Sequence, residues 1–406
     1  MSMKRVVITG MGAVSPYGKG VSVLTEGLKA GRSAVIPAEG VENIAGLRSR
    51  VQARVKGINP KQIPRKHRRS MSAMSQFATL ASYEALQDAG LGQEACESGR
   101  LGVAISSTTG STQTTQSFFE SYLGTRSLEE LKSTHFFQIM NHSSAANVAQ
   151  ALGIRGRMFS PAAACASATQ SIGLAFENIA HGYQDMFLCG GTDEYHPLTT
   201  GVFDIMNAAS SAFNDRPTQT PRPFDRDRDG VVCSEGAGIV LLESLESAQK
   251  RNAIIHGEVK GYATFSDPGN IANPDPDIME KCMLEALKNS GISVENVDYV
   301  NAHATGTLQG DVAESQAIGR VVGKNCPVSS FKGHMGHSMA ASGVLELIGS
   351  IDMLKRGYMI PTLNLENVDP DCAEIFHAKY SEDIECKAII KNNFALGGVN
   401  TSLVIQ

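Results

Sequence analysis

The chain has 406 residues, with 36 Lys+Arg against 41 Asp+Glu, a formal net charge of −5 and 42% hydrophobic residues. This length exceeds one simple core, so we expect two domains or a duplicated fold, and the apolar fraction excludes a mostly disordered chain. The acidic balance argues against a nucleic-acid partner. No apolar run approaches the roughly 18–20 residues needed to span a bilayer, so no membrane partner is expected either.

Short apolar runs, which predict buried strands, alternate along the chain with helical patterns. The helices include Ala166–His181 and Ala340–Arg356, and the segment Ser106–Asn141 between elements has no clear period and predicts an inserted cap or interface region. The alternation predicts an α/β protein with layered sheets. The strand-like runs are Arg5–Thr9, Leu101–Ile105, Asp185–Cys189, Gly238–Leu242, Val259–Thr264, Val297–Ala302 and Thr401–Ile405.

A short internal sequence repeat favours a duplicated fold over two unrelated domains. The octapeptide that begins at Glu84 is matched by a similar one beginning at Glu285, 201 residues later. Each copy predicts a helix end with a glycine cap, at Gly90 and Gly291, and each is followed by a strand-like run. We therefore predict two halves, residues 1–250 and 251–406.

The eight cysteines are scattered and none form CxxC pairs. This pattern fits neither a disulfide framework nor a zinc ribbon and predicts reduced, mostly buried thiols in a cytoplasmic protein.

One cysteine stands apart from the rest. Cys165 lies among small residues, in Pro161-Ala-Ala-Ala-Cys-Ala-Ser-Ala168, directly before a long helical pattern. A thiol at a helix N-terminus sits in positive potential, which lowers its pKa and favours the nucleophilic thiolate. Tight packing of an alanine-rich helix start explains the same segment equally well.

Two loops carry histidines that would suit a catalytic site. His303 follows a buried strand and opens a loop of small and hydroxyl residues, His-Ala-Thr-Gly-Thr. His337 follows Lys332 in Lys-Gly-His-Met-Gly-His and precedes a helix start, where the dipole favours a neutral imidazole that donates a hydrogen bond. Loops at strand ends are common sites of catalysis.

These three segments, in this order, resemble those of the β-ketoacyl-acyl-carrier-protein synthases of the elongating kind, within the thiolase superfamily. The similarity extends over nearly the whole chain, from Lys4–Ser15 through Arg222-Pro-Phe-Asp225 to Asn393–Asn400. The resemblance implies a thiolase-like α/β fold, with duplicated α-β-α-β-α halves related by a pseudo-twofold axis. The N-terminal half would hold the nucleophile and the cap insertion, and the C-terminal half both histidines.

The resemblance also implies a decarboxylative Claisen condensation and assigns roles in it. Cys165 would carry the acyl group, His303 and His337 would bind the malonyl thioester carbonyl, and Lys332 would support charge and geometry near His303. The backbone N–H groups of Cys165 and Leu396 would form the oxyanion hole. No cofactor would be required, because the phosphopantetheine arm arrives on the acyl carrier protein.

Further residues match binding positions of the family. Thr305 and Thr307 would bind the phosphopantetheine arm, and Phe394 and Thr109 would bind substrate, with Thr109 at the floor of the acyl pocket. Lys66 and Arg69, in the basic run Arg65–Arg69, would dock the acidic carrier protein. Asn301, Glu346 and Asn392 match positions that frame a structural monovalent cation in some relatives. The resemblance implies a homodimer or a heterodimer with a related subunit, joined through the strand after the nucleophile helix.

Departures from the family pattern concern the acyl pocket. Ala395-Leu396 stands where Gly-Phe is usual, Ala304 replaces a glycine and Met335 replaces a threonine. None of these changes removes the chemistry, and they lead to the hypothesis of a polyene or polyketide acyl substrate instead of a saturated fatty chain. Two alternatives stay open: a non-elongating partner subunit of a heterodimeric synthase, and an esterifying or decarboxylating relative with the same Cys-His-His set.

Overall fold

The computed structural model describes residues 3–406. Its helices are α1 Val21–Lys29, α2 Arg65–Arg68, α3 Ala73–Asp88, α4 Gln93–Glu97, α5 Thr112–Thr125, α6 Ser133–Ile139, α7 Ser143–Leu152, α8 Ser167–Ala180, α9 Pro197–Ile205, α10 Leu245–Lys250, α11 Pro276–Ser290, α12 Leu308–Val322, α13 Lys332–Met335 and α14 Ser342–Arg356. Short 3-10 turns at Ala164–Ala166 and Met339–Ala341 lead into α8 and α14.

The strands are β1 Val6–Ser15, β2 Gly18–Lys19, β3 Ile36–Pro37, β4 Val51–Gln52, β5 Leu101–Ser106, β6 Met158–Phe159, β7 Met186–Asp193, β8 Gly236–Ser244, β9 Gly257–Ser266, β10 Tyr299–Asn301, β11 Pro327–Ser329, β12 Phe376–His377, β13 Ile389–Ala395 and β14 Val399–Ile405. The main ladder runs in the order β12-β11-β10-β13-β14-β9-β1-β8-β7-β5-β6, with β2 paired to β1.

The two halves of this ladder repeat one topology. In the first half β1, β8 and β7 pair antiparallel in turn, and β7, β5 and β6 pair parallel. In the second half β9, β14 and β13 pair antiparallel in turn, and β13, β10 and β11 pair parallel. The boundary predicted at residue 250 falls between α10 and β9, where β1 and β9 join the two halves.

The helices complete five layers. The hydrophobic core between the halves is built on α8 and α14, which contact strands of both halves. A second core lies between α3, α7 and the first half, and a third lies between α11, α12 and the second half. The predicted α/β fold of thiolase type, with α-β-α-β-α layers, is therefore confirmed.

The first strand is longer than the pattern Arg5–Thr9 predicts, because Gly10 and Gly12 lie within it. Helix α3 crosses this strand so closely that a Cβ on Gly10 would lie 2.2 Å from the Ala85 carbonyl oxygen, and one on Gly12 would lie 1.9 Å from that of Ala81. The two glycines thus serve helix packing against the strand.

Strand β7, which follows the nucleophile helix, has neighbours on both sides and offers no free edge for a dimer sheet. The expectation that this strand would be available to join two subunits is therefore not met in the single chain, where the free edge of the first half is β6, before the nucleophile. The predicted cap segment forms α5 and α6, which expose Phe119, Leu123 and Phe136. No helix in residues 3–406 has the length and apolar character needed to cross a bilayer.

Candidate active site

Cys165 lies in a tight turn that leads into the central helix α8. The preceding residue, Ala164, has φ +45°, a left-handed conformation that costs free energy for any residue with a Cβ. The Ser167 hydroxyl stabilises the turn, because it accepts from the Ala163 N–H at 2.9 Å and donates to the Ala164 carbonyl at 2.7 Å. The turn directs the thiol into a cavity while the side chain stays largely buried.

His337 lies directly beside this thiol. Its Nε2 is 2.9 Å from the Cys165 Sγ, and its Nδ1 is 2.8 Å from the Ser342 hydroxyl at the start of α14. The backbone of His337 is held on both sides, since its N–H donates to the Val232 carbonyl and its carbonyl accepts from the Ser234 N–H. A hydroxyl both donates and accepts, so Ser342 supports either tautomer of His337.

His303 completes a group of three. Its backbone N–H and that of Ala304 donate to the two carboxylate oxygens of Glu314, at 2.7 and 2.6 Å. The His303 and His337 rings meet edge to face, with centroids 5.3 Å apart. One ring nitrogen of each histidine and the Cys165 sulfur all lie within 4.8 Å of one another. The structure thus brings together residues that are 172 positions apart in the chain.

The electrostatics of the trio differ from the expectation for the thiol. Burial raises the pKa of Cys165 to about 11; Lys332 and the N–H groups of Leu396 and Cys165 act to lower it. The thiolate that the helix-start argument predicts is thus wrong for the resting protein, because burial outweighs the helix-start contribution. Burial, and then Lys332, holds the pKa of both histidines well below the ordinary value, so both imidazoles are neutral.

A buried charge cluster lies behind His303 and His337. The Glu346 carboxylate is shared by two lysines, with Oε1 2.6 Å from the Lys332 Nζ and Oε2 2.8 Å from the Lys391 Nζ. All three side chains are fully buried. Glu314 is buried nearby, and burial raises its pKa to about 7, with Lys332 acting against the rise. Lys332 therefore acts on the trio through space, since its ammonium is bound to Glu346.

The cavity in front of the trio has a volume of about 420 Å³. Thr305 and Thr307 line it, with their hydroxyl oxygens 3.0 Å apart, as do Phe394 and Leu396. A loop that includes Asp267 and Asn270–Pro274 forms another part of its wall. Four of the predicted substrate and oxyanion residues thus share one cavity with Cys165.

Thr109 does not join this cavity. The loop after β5 bends toward Asp193, whose carboxylate accepts from the Ser107 hydroxyl at 2.6 Å and from the Thr108 N–H at 3.0 Å. This bend leaves Thr109 exposed at the surface of the chain. The predicted position of Thr109 at the floor of the acyl pocket is therefore not found in the single chain.

The two predicted docking residues lie elsewhere on the surface. Lys66 in α2 and Arg69 just after it are exposed and line a second, open cavity of about 460 Å³. Ser133, Thr134 and Phe137 of α6 form its opposite wall. Lys66, Arg69 and the cap helix α6 therefore form one surface feature, although the sequence separates them widely.

Four residues of the site receive no role from sequence reasoning: Lys391, Asn393, Glu314 and Ser342. Three of them lie near recognised motifs, since Lys391 and Asn393 precede the Ala-Leu-Gly-Gly segment and Glu314 follows the His303 loop. The only signal for Lys391 is a charged residue inside an apolar strand pattern, Ala388–Phe394. A lysine in that setting must be paired, so it indicates a buried acidic partner.

Comparisons with known proteins identify the family to which the chain belongs. The family sequence model of the β-ketoacyl synthase N-terminal domain matches residues 3–248. The family sequence model of the C-terminal domain matches residues 256–366. The chain is 35% identical to 3-oxoacyl-(acyl-carrier-protein) synthase 1 of Escherichia coli strain K12, over 100% of this chain and 99% of the relative.

Two solved structures are similar throughout. A β-ketoacyl synthase from Burkholderia phymatum STM815 superposes with a TM-score of 0.96 and 42% identity, over 100% of this chain and 99% of the other. A ketosynthase described as bound to its type II PKS acyl carrier protein and to the hexaketide superposes with a TM-score of 0.91 and 29% identity, over 100% and 99%.

Proposed function

Since the chain belongs to the β-ketoacyl synthase family, we propose that it condenses an acyl thioester with malonyl-acyl-carrier protein to give 3-oxoacyl-acyl-carrier protein and carbon dioxide. The observation that carries this proposal is the Cys165, His303 and His337 trio within 4.8 Å in one cavity. The reaction balances without any cofactor, because a carbon–sulfur bond and the carbon–carboxylate bond break, a carbon–carbon bond forms, and the released carrier thiol gains one proton.

In the first half-reaction the Cys165 sulfur attacks the carbonyl of an acyl thioester. Its proton passes to the His337 Nε2, which lies 2.9 Å away and is neutral. The N–H groups of Cys165 and Leu396 would bind the negative oxygen of the tetrahedral intermediate. The intermediate collapses to acyl-Cys165, and the departing carrier thiolate takes up the proton.

In the second half-reaction His303 and His337 donate hydrogen bonds to the malonyl thioester oxygen, with His337 now in its Nε2–H tautomer, which the Ser342 hydroxyl also supports. The bond between the α-carbon and the carboxylate breaks, and carbon dioxide leaves. The electron pair of that bond forms an enolate, which attacks the acyl-Cys165 carbonyl. Cys165 leaves as the thiolate and takes up one proton from solvent, which replaces the proton that left on the carrier thiol. Neutral imidazoles suit this step, because the donors act where negative charge develops and not on the ground state.

The carrier protein is the proposed partner. Thr305 and Thr307 at the cavity wall are suited to bind the phosphopantetheine arm, since paired hydroxyls both donate and accept. Lys66 and Arg69 are exposed beside the cap helices and provide a local positive patch on an acidic chain. Such a patch would steer an acidic protein into place.

We propose that the active form is a dimer of this chain. Edge strand β6 leaves backbone groups unpaired, and it exposes Met158. The apolar side chains Phe119, Leu123 and Phe136 are exposed on the cap helices. Light scattering on the purified chain tests this, and a monomer that dimerises only with a related subunit would favour the heterodimer.

All eight cysteines are buried and unpaired, which supports a cytoplasmic location.

The deciding experiment combines product analysis with mass spectrometry after incubation with acyl and malonyl carrier proteins. We expect an acyl adduct on Cys165 and a 3-oxoacyl product. Cys165→Ala should abolish both, whereas Cys189→Ala, which removes another buried thiol, should preserve both. No adduct would favour the non-elongating partner subunit, and an ester or simple decarboxylation product would favour the other relatives.

The polyene or polyketide hypothesis is tested by turnover of saturated against conjugated acyl carriers, and preference for saturated chains would overturn it.

A further inference from the structure

Lys391 is a fully buried lysine in the middle of a β-strand, which is a costly location for a charged side chain. Its Nζ donates to the Asn392 carbonyl at 2.6 Å and to the Asn393 Oδ1 at 3.0 Å, and it lies 2.8 Å from the Glu346 Oε2. Two of the three ammonium hydrogens are used in these hydrogen bonds, and the Glu346 carboxylate neutralises the charge as an ion pair. Lys391 is thus a coordinated cation that is covalently attached to the chain.

These oxygens overlap the set for which the sequence resemblance implies a monovalent cation, namely Asn301, Glu346 and Asn392. Glu346 has an ammonium on each carboxylate oxygen, and the Asn392 backbone oxygen is bound to Lys391. The Asn392 Oδ1 accepts from the Ser402 hydroxyl at 2.8 Å. Within residues 3–406, two oxygens of this set have no hydrogen-bond partner, the Asn301 Oδ1 and the Glu346 Oε2, and the Glu346 Oε2 is already held in the ion pair with Lys391.

One amide oxygen does not make a cation site, least of all beside two buried ammonium groups. Like charges repel strongly where water is excluded, and the carboxylate that would compensate an ion is already shared between two lysines. The predicted residues Asn301, Glu346 and Asn392 therefore do not fit a bound monovalent cation in this chain.

We propose that the Lys391 ammonium takes the place of that cation and acts as a positioning group for His303. The link runs through Asn393, whose Oδ1 accepts from both Lys391 Nζ and the Thr169 hydroxyl, the latter at 2.7 Å. With two donors on its oxygen, the Asn393 amide presents its nitrogen to the His303 Nδ1, 3.2 Å away. This network assigns the amide orientation.

The consequence for His303 is a single tautomer. An amide nitrogen only donates, so the His303 Nδ1 must accept, and the proton of the neutral ring resides on Nε2. Nε2 is then the donor available to the substrate in the cavity. His337 lacks this restriction, since its partner Ser342 is a hydroxyl. Burial lowers the pKa of Lys391 to about 8, with Glu346 acting to raise it, so the ammonium form is still present at neutral pH.

The first test uses the wild-type protein and does not depend on the proposed function. Crystals grown in rubidium salts should show no anomalous peak among Asn301, Glu346 and Asn392. A rubidium ion there would overturn the inference whether or not the protein condenses acyl chains. Malonyl-carrier decarboxylation, which rests on the proposed function, should be equal in sodium, potassium and choline buffers, and a requirement for sodium or potassium would contradict it.

The second test compares Lys391→Ala with Lys387→Ala, which removes an exposed lysine close to the same strand. For Lys391→Ala we expect the kcat of malonyl decarboxylation to fall about tenfold or more, with little change in KM, while Cys165 acylation is largely retained. Added ammonium or methylammonium should restore the rate by filling the vacated site. Lys387→Ala should match the wild type in both half-reactions.

Circular dichroism and thermal unfolding check that the variant is folded. Lys391→Met, which keeps the length of the side chain without its charge, is the second variant and should lose decarboxylation without rescue by ammonium. Folded variants that decarboxylate at the wild-type rate would overturn the inference. Equal loss of acylation and decarboxylation, with no ammonium rescue, would also overturn it, because it would indicate a merely structural lysine.

Discussion

The His337 Nε2 lies 2.9 Å from the Cys165 Sγ, and both groups are buried and neutral in the resting protein. This pair differs from a thiolate–imidazolium ion pair, in which a charged histidine lowers the thiol pKa. Burial disfavours both ions, so the proton stays on sulfur until an acyl donor arrives. The nucleophile is therefore activated during attack and not stored as a reactive anion.

The first prediction concerns the pH dependence of thiol reactivity. Because burial raises the pKa of Cys165 to about 11, the thiolate fraction increases with pH up to that value. Site-resolved mass spectrometry should show iodoacetamide alkylation of Cys165 accelerating about tenfold per pH unit between about pH 7 and 10. A rate that is already constant at neutral pH would show a preformed ion pair.

The second prediction separates the two half-reactions. His303→Ala should lower malonyl decarboxylation by about 10²-fold or more, since one donor to the developing enolate is lost. Acylation of Cys165 should be largely retained, because the His337 Nε2 and not His303 contacts the sulfur. His377→Ala, which removes another buried histidine outside the cavity, is the matched control and should leave both steps intact. Equal loss of both steps in His303→Ala would contradict separate roles.

The third prediction addresses carrier docking at Lys66 and Arg69. Reversing both charges, Lys66→Glu with Arg69→Glu, should raise KM for acyl-carrier protein about tenfold or more and weaken its dependence on salt. Turnover of a small acyl thioester without a carrier should be unchanged, since both residues lie outside the cavity of Cys165. Steady-state kinetics with the two substrates measures the difference, and Arg226→Glu with Lys288→Glu, at two exposed positions elsewhere, matches the change in net charge. A parallel change for both substrates would place the effect in the active site.

The fourth prediction concerns stability. Glu346→Gln removes the carboxylate between Lys332 and Lys391 and leaves two buried ammonium groups without an anion. Loss of one partner in a buried ionic group costs about 3–5 kcal/mol, and urea unfolding should reveal a decrease of this size in the free energy of unfolding. Glu374→Gln, which breaks a surface contact with Lys324, should leave it unchanged. A small effect at Glu346 would mean that one lysine is neutral in the folded protein.

The sequence predicts much of this architecture, since the alternating strand and helix patterns are local. The octapeptide repeated at Glu84 and Glu285 favours a duplicated fold. The motif residues are recognisable for the same reason: Cys165, His303 and His337 each lie in a short segment of small residues beside a strand or helix end. The packing of α3 on β1 is not readable in this way, so the predicted strand ends at Thr9 although Gly10 and Gly12 lie inside it.

What the sequence by itself determined is the α/β fold class, because local periodicity reports it, and the three candidate reactive side chains, because their segments together resemble those of one family. Only the tertiary structure decided their protonation states, the exclusion of Thr109 from the cavity, and the position of the Lys391 ammonium on Glu346. These features depend on burial and on contacts between distant segments. The position at a helix start favours a thiolate. Burial away from water makes every isolated charge costly, however, and that cost determines the protonation state of Cys165.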